Sequence, residues 1–246
     1  MSSEKSHWMR LVTLCAIGCL STVAQAAELS INPVRVTLDS PEDIGMIRME
    51  NQGSEPVVLQ ASIKDWSIED GKDRYRDTEQ LVVTPPVFTI EPGERQIVRL
   101  GLEDPSPTST EQAYRIYFEE SPARPAEGGP DDTPPTQVRI NLRIGIPVFI
   151  AAEEAGQRYT AWRTHLDADQ RLHVRGENRG NTHLRASRVA VLDDSDAVLA
   201  EQEGLAYLLA GSQREWVFDL SEIDAEPSLV RIRTEEGVVE TPLDGR

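Results

Sequence analysis

Cysteine is almost missing from this chain. Of 246 residues only Cys15 and Cys19 are cysteine, and both lie in an N-terminal stretch built like a secretory leader. Lys5 and Arg10 precede an apolar run from Leu11 to Leu20, and Ala24-Gln25-Ala26 precedes Ala27. A basic start, a short apolar core and an A-x-A site predict cleavage after Ala26, and the run is too short to span a bilayer. The expected mature chain of 220 residues therefore has no disulfide, no thiolate metal site and no membrane-spanning segment. Its stability must come from packing.

Positive charge is also scarce. Against 42 acidic residues stand 25 Lys and Arg, a net of −17, and loss of the leader, with two basic residues and one acidic, takes it to −18. Such a charge excludes nucleic acid and anionic membrane surfaces as partners and favours basic ones. There is no nucleophile elbow and no glycine-rich phosphate loop. His165, His173 and His183 match no compact metal spacing, so neither a metal nor a cofactor is expected. With so many carboxylates any pair would serve as a glycosidase acid and base, which makes that pattern uninformative. The chain is read as not an enzyme.

Helical periodicity is absent too, and what remains is alternation. From Leu29 onward, short alternating segments are separated by turns such as Asn51-Gln52-Gly53, Glu69-Asp70-Gly71 and Pro92-Gly93, which predicts an all-β fold of sandwich type. Leu29 and Ile31 face one way and Val34, Val36 and Leu38 the other, with Pro33 where the phase changes. This marks an edge strand, or one passing between two sheets. The longest pattern is Val138 to Ile150, where every even position is Val, Ile or Leu. At roughly 3.3 Å per residue it would run about 43 Å, more than one small core can use. Its apolar row either serves its own domain or is lent to another protein's sheet. The segment 121–135 before it holds five prolines, two glycines and nothing apolar larger than Ala, too little to order itself. The length suits two domains: 27–150, ending in the long strand, and 151–246, with residues 1–26 as leader. Candidate strands of the second domain include 159–166, 171–175, 184–192, 197–201, 206–210 and 229–234.

The first-strand Asn32-Pro33-Val34-Arg35, the run Thr84-Pro85-Pro86-Val87 leading through Glu91-Pro92-Gly93 to Gln96-Ile97-Val98-Arg99-Leu100, and a proline-rich loop before a long alternating strand resemble the periplasmic pilus chaperones of the chaperone-usher pathway. Tyr114-Arg115-Ile116 and Leu142-Arg143-Ile144-Gly145-Ile146-Pro147-Val148-Phe149 look most like its archaic branch. The resemblance implies two immunoglobulin-like β-sandwich domains and a chaperone that completes the fold of pilus subunits by donor-strand complementation and hands them to an outer-membrane usher. It implies a donor row of Val138, Ile140, Leu142 and Ile144, and a basic anchor for the subunit's C-terminal carboxylate. Arg35 falls on the family's first-strand Arg. The family's second basic position, a Lys on the last strand, falls on Gly145, so either Arg143, two residues earlier on the same face, or Arg115, on the neighbouring strand, is left to supply that charge. An exported structural or adhesive sandwich, such as a pilus subunit, is the rival. It would be a single incomplete domain with an N-terminal donor extension, whereas here the exceptional alternation lies mid-chain.

Overall fold

The computed structural model describes residues 28–121, 141–154 and 156–243, and every element in it is a strand. The strands of the first sandwich are β1 (Leu29–Asn32), β2 (Val36–Leu38), β3 (Gly45–Asn51), β4 (Val57–Glu69), β5 (Lys72–Asp77), β6 (Leu81–Thr84), β7 (Val87–Ile90), β8 (Arg95–Leu102), β9 (Gln112–Glu120) and β10 (Arg143–Ile150). One sheet has the order β1-β3-β8-β6; the other has the order β2-β10-β9-β4-β5, with β7 also on β4. Pro33 stands where the chain leaves the edge of one sheet for the edge of the other, as the change of phase predicts. β2 then runs parallel to β10, Val36 opposite Val148.

Alternation explains the core. Ile47, Met49, Val98 and Leu100 from one sheet meet Leu59, Ile116, Phe118, Ile146, Val148 and Ile150 from the other, all essentially without solvent contact. Burial along β10 fades toward its start: Ile146, Val148 and Ile150 are buried, while Ile144 is only partly buried against this core. Leu142 lies outside the ladder, its carbonyl accepting from the Glu120 N–H at 2.9 Å. The described strand is thus shorter than the pattern from Val138 predicts, and Val138 and Ile140, like most of the proline-rich segment, lie outside the described residues.

The second sandwich packs β11 (Thr160–Leu166), β12 (Arg171–Asn178) and β15 (Gln213–Asp219) against β14 (Val198–Leu208), β13 (Leu184–Leu192), β16 (Leu229–Thr234) and β17 (Gly237–Pro242). Two buried asparagines close corresponding corners. Asn51 donates through Nδ2 to the carbonyls of Glu55 (2.7 Å) and Ile90 (2.9 Å) and accepts from the Gly53 N–H. Asn178 does the same toward Thr182 and Leu208, both 2.8 Å, and accepts from Gly180.

Candidate functional site: the cleft between the sandwiches

Residues facing away from the core on β9 and β10 look into the angle between the two sandwiches. Phe149, odd-numbered and hence outward, is nevertheless fully buried because Trp66, Ala113, Tyr207 and Leu209 close over it as a separate apolar cluster. Trp66 meets Tyr207 edge-on, ring centres 5.2 Å apart, and Phe149 lies flat on the His183 imidazole at 3.7 Å. Aromatic pairs of this kind weld the hinge by both area and geometry. Polar links frame it. Arg214 of the second sandwich donates to Asp73 of the first at 2.7 Å and to the Tyr207 carbonyl at 3.0 Å, while Trp66 Nε1–H donates to the same Asp73 at 3.0 Å.

The three candidate arginines have different surroundings. Arg115 lies over the face of Trp66, its guanidinium carbon 4.5 Å from the ring centre, with Tyr75 at 5.7 Å. No ion pair ties it to a described carboxylate, and its Nε is buried without a hydrogen-bond partner among the described residues. Arg143 pairs with Glu119 at 2.7 Å and stacks on Tyr117 at 4.2 Å. Burial pushes the nearby Tyr75 phenol up to about 12, against the pull of the Arg115 charge. Gly145 sits between these side chains, and a Cβ there would meet Tyr117 at 2.9 Å and Arg115 Cδ at 3.3 Å. The position that resembles the family's Lys is thus filled by its neighbours' side chains.

Arg35 sits before β2, on the wall of a cleft of about 810 Å³ lined also by Asp39, Glu111, Glu153, His183 and Glu235. It donates through Nη1 to Glu235 of the second sandwich at 2.9 Å. The Glu235 hydrogen bond raises the Arg35 pKa above its ordinary value against the opposing effect of burial. Burial by itself would push the Glu235 carboxyl up; the hydrogen bond and charge of Arg35, with the charges of His183 and Arg185, outweigh it and hold the group below the usual carboxylate range. On the other side Glu111 takes the Thr182 hydroxyl (2.8 Å), the His183 N–H (3.0 Å) and His183 Nδ1 (2.8 Å). The sequence offered no sign of these cross-domain partners, which lie 71 to 200 residues apart. His183 entered there only as a rejected metal ligand.

The fold is that of two β-sandwiches meeting at a hinge cleft, with the last strand of the first sandwich leading out of it. A family model described as the pili and flagellar-assembly chaperone, PapD N-terminal domain, matches residues 28–154, and the chain belongs to that family. Its members are periplasmic assembly chaperones, not enzymes. Among curated proteins the chain is 29% identical over 134 residues to the chaperone protein FimB/FhaD of Bordetella pertussis, a match covering 50% of this chain and 54% of that protein. It is 25% identical over 126 residues to the fimbrial chaperone YhcA of Escherichia coli, covering 51% and 50%. The match thus spans about half the length of these curated relatives. Among solved structures, the CsuC–CsuE chaperone and tip-adhesin subunit complex of the archaic Csu pili of Acinetobacter baumannii aligns with a TM-score of 0.67 at 19% identity, over 87% of this chain and 98% of that one. The Salmonella enterica SafA pilin with its SafB chaperone gives 0.60 at 15%, over 89% and 98%. At these identities the likeness is one of fold. Among the described residues no helix is long and apolar enough to cross a membrane.

Proposed function

We propose that this chain is a periplasmic chaperone, exported by a leader cut after Ala26, that captures pilus subunits by donor-strand complementation and delivers them to an outer-membrane usher. The observation that carries the reading is the half-covered last strand of the first sandwich. β2 pairs with β10 only over Val148–Ile150, so from Arg143 to Pro147 the strand has β9 on one side and no described strand on the other. An unpaired ladder edge is a template for adding a strand. In the sequence the same alternation runs through Val138, Ile140, Leu142 and Ile144, and Ile144 is already only partly covered by the domain's own core. Burying each in a subunit groove would contribute roughly 1.5 to 3 kcal/mol before ordering costs.

The subunit's C-terminal carboxylate is assigned to Arg115 together with Arg35. Arg143 is committed to Glu119 and Tyr117, whereas Arg115 is held by aromatic faces and pairs with no described carboxylate. A charge at one end fixes the register that a period-2 apolar row leaves free. The test is co-purification from periplasm of a co-expressed pilus subunit. Ile140→Asp should abolish capture while leaving a folded protein, and equal capture by that variant sinks the reading. Removing one partner of a desolvated pair costs about 3 to 5 kcal/mol, so Arg115→Ala should weaken capture by a few hundredfold or more and Arg143→Ala by about tenfold or less. The reverse order would transfer the anchor to Arg143.

A further inference from the structure

Four ionisable side chains, alternately acidic and basic, line up across the hinge. Glu111 Oε1 lies 2.8 Å from His183 Nδ1, His183 Nε2 lies 3.7 Å from Glu235 Oε1, and Glu235 Oε2 accepts from Arg35 at 2.9 Å. The side chains of His183 and Glu111 are each only 6% exposed. The imidazole is fixed, with its face on Phe149 and its Nδ1 on Glu111. Its Nε2 is buried and hydrogen-bonds to no described residue. Buried polar atoms are rarely left so, and the nearest acceptor is the carboxylate that Arg35 already holds.

We propose that Glu235 is an internal stand-in for the carboxylate that Arg35 takes, and that an incoming acid displaces it onto His183 Nε2. The proposal rests on the reading of Arg35 as an anchor. Glu235 lies in the two-residue turn between β16 and β17, where Thr234 pairs with Gly237, so its side chain pivots without breaking the ladder. Closing from 3.7 Å to hydrogen-bond distance needs a movement of under about 1 Å. Each ring nitrogen then faces a carboxylate oxygen, Nδ1 that of Glu111 and Nε2 that of Glu235. Other polar groups facing these residues are Arg185, whose Nε is 3.7 Å from Glu235 Oε2, the Tyr207 hydroxyl beside Arg35, the Thr182 hydroxyl on Glu111, and Asp39 and Glu153 on the cleft wall. The consequence is selectivity. A neutral or amidated terminus cannot outcompete a resident carboxylate, whereas an acid can, and the displaced group is received at His183 Nε2.

The experiment follows the His183 ring nitrogens by 15N–1H correlation at neutral pH, the signal being assigned by its loss in His183→Gln. Arg35→Gln should shift His183 Nε2 to a protonated, hydrogen-bonded position, and Arg35→Gln combined with Glu235→Gln should not. Arg35→Lys, which keeps the charge but not the fork, should give a partial shift and serves if Arg35→Gln fails to fold. Sodium acetate in large excess should shift the wild type in the same direction, and sodium chloride at equal ionic strength should not. An unmoved His183 signal in folded Arg35→Gln and Arg35→Lys, as when Arg185 takes the freed carboxylate, overturns the exchange. A shift in the variants without one in acetate supports the exchange and overturns Arg35 as a carboxylate site.

Discussion

Single residues decide more in this protein than their size suggests. Asn51 and Asn178 each satisfy two carbonyls and one N–H inside a corner of their sandwich. Replacing either by Ala leaves buried groups unpaired, and urea denaturation should register a loss of about 2 to 4 kcal/mol. Gly145 is constrained from the opposite direction. Gly145→Lys installs the residue type that the family resemblance suggests, yet its Cβ meets Tyr117 at 2.9 Å. It should destabilise by about 1 to 3 kcal/mol through overpacking, and co-purification should show capture lowered rather than improved, since Arg115 must move. For Glu235 the effect depends on pH. Its folded carboxyl is held below the ordinary range, so the stabilisation is complete above the unfolded value of about 4.3 and is lost as the pH falls through the folded value. The difference in stability between wild type and Glu235→Gln should be flat from about pH 7 to 5 and shrink below that. A difference that grows on acidification contradicts the assignment.

At the scale of elements, the sequence was readable where strands alternate and opaque where they do not. β13 and β16 fall on the expected 184–192 and 229–234, because each has one face in a core. β5 was missed because Lys72 to Asp77 are all exposed. It forms because Asp70 and Gly71, with φ of 52° and 72°, fold it back along β4. The expected strands 197–201 and 206–210 are one, β14, whose middle carries no apolar alternation and follows β13 past an irregularity at Ala186–Arg188. Where the long strand's ladder stops is encoded by no alternation, since residues with the same pattern continue on both sides of that point. Of the candidate site, the arginines were visible as positions, but their partners were not. Arg115 gains its aromatic setting from β4 and β5, and Arg35 gains Glu235 from a turn 200 residues away.

The molecule as a whole is held in one shape by a small hinge. Phe149 belongs to the apolar cluster at the hinge rather than to its own domain's core cluster, yet it is among the largest fully buried side chains. Phe149→Ala should cost about 3 to 5 kcal/mol, and small-angle scattering should show a broader spread of interdomain angles with each sandwich intact. The edge of β10 from Arg143 to Pro147, which no described strand covers, has a further consequence, a colloidal one. Two copies of this protein present each other with the same unfinished ladder, and nothing in hydrogen-bond geometry forbids them from zipping together. Long-range repulsion between bodies of net charge −17 or below opposes that zipping. That repulsion is screened beyond about 8 Å at physiological ionic strength and about 3 Å in molar salt. Sedimentation at rising protein concentration should therefore find monomers at low salt and growing self-association at high salt. The shelf life of the empty chaperone is then set by the ionic strength around it as much as by the stability of its fold.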